Sequence, residues 1–546
     1  MSASTYDYVI VGAGSAGCVL AHRLSANPTN RVLLLEAGPR DWHPFIHMPA
    51  GMAKLVGKKG INWDYSTEPE AALDGRRLWW PRGKVLGGSS SINAMCYVRG
   101  HPRDYDEWVE LGADGWSWRD VLPYFRRSEH QERGADTLHG RGGLLNVADL
   151  RHHNPLSQVF LDAARAAGHA SNDDFNGAEQ NGVGWYQVTQ RNGARWSTAA
   201  GYLAAARGRA NLTVLTGAAA TRIVLDRGRA AGVEFVRDGA RTIAHATREV
   251  VLSGGAINSP QLLMLSGIGP ADALRTHGIA VAADRAEVGR NLHDHLDACT
   301  VVRCTKPITY DRTNDVAIAL RYFLFREGIG TSNIAEAGGF MRSRLAPDER
   351  PDIQFHFVPA ILDDHGRNRI PGRGYTVHAC GLRPKSRGWL ELASADPAAK
   401  PRIHAQYLSD PGGDDVATLV EAVRAARAIL AQTAFDPYRG AELFPGVDAS
   451  SDEAIAAFVR RKAETIYHPV GTCRMGRDST SVVDPELRVR GIEALRVVDA
   501  SVMPRLVGGN TNAPTVMIAE RASDLILGRT VAAEQTSADL RAVATA

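Results

Sequence analysis

Long apolar runs are missing from this chain of 546 residues. No window approaches the roughly 18 consecutive apolar residues of a membrane-spanning helix, so no transmembrane span is expected. Excess charge is missing too. Lys and Arg number 63 against 60 Asp and Glu, a net charge of +3, with no basic run and no arginines interleaved with aromatics. A nucleic-acid partner is therefore excluded from the expectations. Cysteine is sparse: Cys18, Cys96, Cys299, Cys304, Cys380 and Cys473 are dispersed, without one C-x-x-C. That disfavours a disulfide framework and a structural zinc site, and predicts reduced thiols. Residues 1–6 are short and polar and run straight into a strand, which leaves no room for a secretory leader. A cytoplasmic location follows as the expectation. The chain also lacks internal repeats and low-complexity linkers, yet it is too long for one typical domain, so two closely joined domains are expected.

What is present begins at the first residues. Tyr8-Val9-Ile10-Val11 reads as a buried strand, Gly12-Ala13-Gly14-Ser15-Ala16-Gly17 as a glycine turn opening a helix, and Arg31 to Leu35 as a second buried strand. Strand, turn, helix and strand make a βαβ unit with a parallel sheet. Gly12 permits the tight turn, Gly14 lets backbone approach a pyrophosphate, and Gly17 lets the helix pack on the strand. The helix start then presents free N–H groups to the phosphates. Glu36, followed by Ala37, stands about 20 residues beyond Gly17, the spacing of the acid that binds both ribose hydroxyls. A carboxylate there repels a 2′-phosphate and disfavours NADP. The chain has no second G-x-G-x-x-G unit, so if this one holds FAD, electrons come from a substrate and not from NAD(P)H.

A second glycine-rich stretch, Pro81-Arg82-Gly83-Lys84-Val85-Leu86-Gly87-Gly88-Ser89-Ser90-Ser91-Ile92-Asn93-Ala94, is flanked by apolar residues and reads as a fixed, buried loop whose backbone approaches a ligand. Residues 250–270 read as strand, turn and helix, with Ser259 as N-cap and Pro260 at the first helical position. The alternating runs 353–358 and 375–380 predict antiparallel strands with one exposed face. Residues 411–432 predict a helix. The tail after residue 529 is polar and Ala-rich and is expected to be loosely ordered.

Near the end stand His468-Pro469-Val470-Gly471-Thr472-Cys473 and Asn510-Thr511-Asn512-Ala513-Pro514. An unperturbed imidazole has a pKa of about 6.5 and is mostly neutral at pH 7, which suits a base. An amide cannot titrate but can donate to a developing alkoxide. His293-Asp294-His295 is a weak metal motif, since histidines at i and i+2 on a strand point apart. No metal is expected, and the loop is read as structural. Trp63 and Tyr65 are read as core or as packing against a cofactor ring.

Taken together, these segments resemble the glucose–methanol–choline oxidoreductases over nearly the whole chain. The resemblance rests on the N-terminal loop with Glu36, on residues 83–93, on residues 255–269, and on His468 with Asn512. It implies an α/β fold: a Rossmann-like FAD-binding domain, with a mixed antiparallel-sheet substrate domain of α+β type over the flavin. The expected division gives residues 1–150, 205–300 and 465–546 to the FAD-binding domain and 151–204 and 301–464 to the substrate domain.

By the same resemblance, His468 is the base and Asn512 its partner. The flavin site is drawn from Gly12, Gly14, Ser15, Ala16, Gly17, Glu36, Ala37, Trp63, Arg82, Gly83, Leu86, Gly88, Ser89 and Asn93. Ala94 and Met95 add backbone contacts near the flavin, Ala220 touches the adenine half, Asp499 and Ala500 meet the flavin tail, and Ala513 and Pro514 complete the set. Some relatives attach FAD through a histidine where this chain has Ile92, so FAD is expected to be non-covalent. Glu336 is open between a substrate-pocket residue and a buried ion pair. The nearest likeness is to bacterial alkanol dehydrogenases, carried by residues 36–41, 45–49, 182–190 and 464–468, with choline dehydrogenases somewhat further away. The implied function is oxidation of a primary aliphatic or aromatic alcohol to an aldehyde, with electrons passed to a quinone or other non-NAD acceptor and peripheral contact with the inner membrane. Alternatives are a choline dehydrogenase, an oxygen-using alcohol oxidase, or a flavin-containing lyase or photodecarboxylase.

Overall fold

A computed structural model describes residues 4–529. Ser4–Val11 and Val32–Glu36 are strands joined through the helix Ser15–Leu24, and they pair in parallel. Every residue of Val32–Glu36 is buried, as a parallel strand covered on both faces requires. The full sheet runs Leu212–Thr216, Val32–Glu36, Ser4–Val11, Ala240–Leu252, Arg229–Arg237 and Ala219–Asp226, and Leu495–Val497 adds to Ala240–Leu252 in parallel. Its last two pairings are antiparallel. The two ends of the chain meet here. Helix Asn512–Leu527 lies against helix Ser15–Leu24, where Glu520 accepts from Arg23 at 2.8 Å and from Tyr202 at 2.6 Å.

The tight packing at the glycine loop is steric. A methyl group on Gly17 would lie 1.8 Å from the Gly12 carbonyl oxygen, and one on Gly88 would lie 2.7 Å from Gly14 Cα. The second glycine-rich stretch is therefore pressed directly on the first.

The second sheet is antiparallel throughout: Arg439–Phe444, Leu296–Cys304, Gly374–Gly381, Ile353–Val358, Ala337–Met341 and Gly182–Trp185, with Glu464–Thr465 beside Leu296–Cys304. The expectation of one exposed face is corrected. All six residues of Ile353–Val358 are buried. Phe355 and Phe357 share a core with helices Pro155–Ala166 and Asp414–Leu430, while Gln354 and His356 are buried on the other face, toward the site.

The helix in 250–270 also begins earlier than the sequence predicts. It spans Gly255–Leu265, so Pro260 lies inside it and Ser259 is not its N-cap. Proline has no N–H to return to the carbonyl four residues back, that of Ala256. Thr472 Oγ1 donates to that carbonyl at 2.6 Å, and the exchange of partners makes the interior proline tolerable. The expected loosely ordered tail lies outside the described residues from 530 on, and all six cysteines are buried and unpaired.

Replacing Thr472 by Val keeps its shape and leaves the Ala256 carbonyl without a donor. The expected loss is about 1–3 kcal/mol of stability, read as a lower urea midpoint with an unchanged m-value.

Candidate active site

Between the two sheets lies a cavity of about 640 Å³. Gly12, Gly14, Ser15, Ala16, Glu36, Ala37, Trp63, Arg82, Gly83, Gly88, Ser89, Asn93, Ala94, Met95, Ala220, Asp499 and Ala500 all line it. Gly17, Leu86, Ala513 and Pro514 do not. Gly17 is spent on helix packing, Leu86 sits in the core of the first sheet, and Ala513 and Pro514 are buried in the first turn of the last helix.

The part lined by the two glycine loops and Glu36 has the donors and acceptors a dinucleotide needs. Helix Ser15–Leu24 has no side-chain cap at its start, and Gly14, Ser15 and Ala16 line the cavity, so its first N–H groups are available to a ligand there. Arg82 Nε and Nη2 and Ser253 Oγ have no protein partner. Glu36 closes the loop by accepting from Ala13 N at 2.9 Å and Gly38 N at 2.7 Å, and burial pushes its pKa up to about 7. Each oxygen retains a lone pair for a hydroxyl donor. Asp499 is fully engaged: it accepts from Gly255 N, Ser259 Oγ, Ser501 N and Ser501 Oγ, and so ties down the start of the neighbouring helix.

The other half holds His468. The correction here concerns its partner. Asn512 begins the last helix and its Oδ1 accepts from Ser15 Oγ at 2.7 Å. Asn510, still in the preceding loop, brings Nδ2 to 3.2 Å from His468 Nε2. Gln354 Nε2 donates to Asn510 Oδ1 at 3.0 Å, which turns the amide nitrogen toward the imidazole.

The tautomer of His468 follows from its neighbours. His295 Nε2 lies 3.3 Å from the Leu382 carbonyl, which can only accept, so that nitrogen carries the hydrogen. Burial lowers the His295 pKa to about 3, so the ring is neutral and its Nδ1 is bare. His468 Nδ1, 2.9 Å away, must donate to it. His468 Nε2 is left unprotonated and accepts from Asn510 Nδ2 at 3.2 Å. Burial, with His295, His356 and Arg82 nearby, holds the His468 pKa well below its ordinary value. The backbone is anchored as well, because His468 N donates to Asp294 Oδ1 at 2.7 Å.

Glu336 belongs elsewhere. It is fully buried and accepts from Asn154 N at 2.6 Å, Ser157 Oγ at 2.9 Å, Ser332 Oγ at 2.6 Å and Tyr310 OH at 2.5 Å, while the cavity is lined by residues 333–335. It is neither a pocket residue nor an ion-pair partner: it stands just before the strand Ala337–Met341, and its carboxylate is taken up by these four donors. A different acidic wall takes that place. Asp297 Oδ2 lies 2.5 Å from His378 Nδ1, and Glu464 pairs with Asp297 across the strands. Asp297 Oδ1 has no partner. Burial opposes a charge on His378, but Asp297 outweighs it and raises the pKa; burial also lifts Glu464 to about 7. Cys299 adjoins them, with its thiol kept protonated by burial and by both carboxylates.

From the sequence, Asn510, Gln354, His356 and Asp297 carry no assigned role, and His295 belongs to a loop read as structural. A signal existed: polar residues at period two within apolar strands, at 295, 297 and 299 and at 354 and 356. Four bulky residues with left-handed backbone also line the cavity: Met95 (φ 60°), Ile334 (φ 72°), His365 (φ 57°) and Tyr467 (φ 73°). Such strain persists only where surrounding structure imposes it.

Two family models, both described as GMC oxidoreductase, match residues 6–297 and 384–519. The "Alcohol dehydrogenase [acceptor]" of Pseudomonas putida is 50% identical over 530 residues, 96% of each chain. The mitochondrial choline dehydrogenase of Mus musculus is 49% identical over 538 residues, 96% of this chain and 89% of that one. Among solved structures, pyridoxine 4-oxidase from Mesorbium loti superposes with a TM-score of 0.87 at 34% identity, covering 95% of this chain and 98% of that one.

Replacing His295 by Phe removes the acceptor at His468 Nδ1. In ¹⁵N-resolved NMR, the native protein should show His468 as a single Nδ1–H tautomer. The variant should show an Nε2–H population.

Proposed function

Because this chain belongs to the GMC oxidoreductase family, we propose that it is an FAD-dependent dehydrogenase that oxidises primary alcohols, aliphatic or aromatic, to aldehydes and passes the electrons to a quinone or another non-nicotinamide acceptor. The observation that carries this reading is the bare Nε2 of His468, held by His295 and facing Asn510 in the same cavity as the dinucleotide cradle. The relative named as an acceptor-linked alcohol dehydrogenase supports it.

When bound, FAD supplies the hydride acceptor. The residues of this chain do the rest. Gly12, Gly14 and the helix start at Ser15 would hold the pyrophosphate, Glu36 the ribose, and Arg82 an electron-rich edge of the ring. Ile92 offers no nucleophile, so FAD is non-covalent in this reading. His468 Nε2 takes the hydroxyl proton of the alcohol. Asn510 Nδ2 donates to the same oxygen as charge builds on it, and the amide needs no reorganisation because Gln354 already orients it. The same reading keeps the two-domain division, with the cavity between the sheets.

A second reading has its own support. The unpartnered Asp297 Oδ1 on the wall beyond His468 would suit an alcohol with a cationic or hydrogen-bond-donating tail, and the relative named as a choline dehydrogenase points the same way. Anaerobic titration of the FAD-loaded protein with 1-octanol, benzyl alcohol and choline separates the two. Bleaching of the flavin band by the neutral alcohols supports the first reading, bleaching by choline alone the second, and no bleaching by any overturns both.

His468→Ala is expected to lower kcat by roughly 10²–10⁴ with FAD retained. Asn510→Ala should cost about 10²-fold or more, well beyond Asn512→Ala; the reverse order would reinstate Asn512. Protonating His468 abolishes the base, and its pKa lies below 6.5. The kcat/KM profile should therefore stay flat as pH falls through 6.5, with its acid limb lower.

A further inference from the structure

Helix Asp315–Phe325 breaks the usual rule of which face goes inward. Val316, Leu320, Phe323 and Leu324 fall at i, i+4, i+7 and i+8, one apolar stripe about 100° wide that normally packs on a core. Here it faces outward: they are 68%, 58%, 44% and 68% exposed, and Phe325 at the helix end is 66% exposed. Only Tyr322 is buried, and its hydroxyl donates to the His47 carbonyl at 2.6 Å. Among the described residues, this one helix carries five of the nine exposed large hydrophobic side chains, so the patch is concentrated and not scattered. Another, Trp42, is 78% exposed on the segment that leads to His47, with the Arg40 guanidinium over its ring at 5.4 Å.

The surroundings are basic. Lys54, on the segment that packs beside this helix, bonds Asp315 at 2.9 Å, and Lys58, Lys59, Arg312 and Arg321 are all exposed nearby. Over residues 40–60 and 311–327, seven cations face four carboxylates, so this patch carries an excess of three in a chain whose whole net charge is +3. The same 44–56 segment supplies Met52 and Val56 to the cavity lining.

We propose that helix Asp315–Phe325, together with Trp42, is a docking surface for an anionic phospholipid bilayer. The apolar stripe enters the acyl boundary and the surrounding lysines and arginines meet the headgroups. A second copy fits less well, because an isologous contact would set the basic rims of both patches against each other. Docking there would bring the Met52 and Val56 side of the cavity toward the bilayer, where an apolar alcohol and a quinone both partition. This adds a surface to the dehydrogenase reading and can fail independently of it.

The test uses the full-length, FAD-loaded protein and sedimentation with vesicles, either pure phosphatidylcholine or with about one-third phosphatidylglycerol. The variant is Leu320→Glu/Leu324→Glu, two exposed positions outside the site, with FAD content and activity toward a soluble alcohol and acceptor dye as controls for folding. The expected result is sedimentation with the anionic vesicles only, weakened by ~0.5 M salt, and a partition coefficient at least about tenfold lower in the variant, with dye-linked activity unchanged. Equal sedimentation of both proteins, or of neither, overturns the proposal. So does a native dimer in light scattering that becomes a monomer in the variant without vesicle binding. Loss of dye-linked activity in the native protein would instead count against the dehydrogenase reading.

Discussion

The Asp294 carboxylate is the clasp on which the site depends. It is buried and accepts from Thr465 Oγ1 at 2.5 Å, from the His468 backbone N–H at 2.7 Å and from the Tyr407 hydroxyl. Three stretches that are remote in sequence are thereby fixed to one another. His295 follows directly and is carried into contact with His468, and two residues further on Asp297 reaches the far wall. Burial raises the Asp294 pKa, and its donors and Arg82 work against that rise. The clasp holds because a buried carboxylate is costly unless its lone pairs are filled, and here nearly every one is.

Burial also selects the chemistry. A buried imidazole favours its neutral form, so the cavity keeps His468 deprotonated without a carboxylate partner. A carboxylate at Nδ1 would have raised its proton affinity; the neutral ring of His295 fixes the tautomer without that effect. The left-handed backbones at Met95, Ile334, His365 and Tyr467 fit the same pattern, since they surround the cavity and bend the chain sharply at its wall.

Much of this was legible in the sequence. The βαβ unit at the start is written in apolar runs and glycine spacing, and the antiparallel sheet in period-two alternation. Most residues named for the cofactor line the cavity, because backbone cradles leave small residues in a fixed order, whereas the lining from residues 252–262 and 397–400 carries no such signature. The reacting half was less legible. Asn510 and Asn512 are chemically identical, and only the start of the last helix decides which amide faces the imidazole. Glu336 just precedes one strand and Asp297 is the second residue of another, and which way such a side chain points depends on register. Pro260 looked like a helix start because its release from that position depends on Thr472, more than two hundred residues later.

The hydrogen bond between Ser15 and Asn512 spans 497 positions, and this bears on how the molecule is made. The parallel sheet lacks the strand Leu495–Val497, and the glycine loop lacks its facing helix, until almost the entire chain has left the ribosome. At roughly 5–20 residues per second, the glycine loop and helix Ser15–Leu24 wait about half a minute to a minute and a half for helix Asn512–Leu527. Over that interval the face of helix Ser15–Leu24 that the last helix covers stays open to solvent.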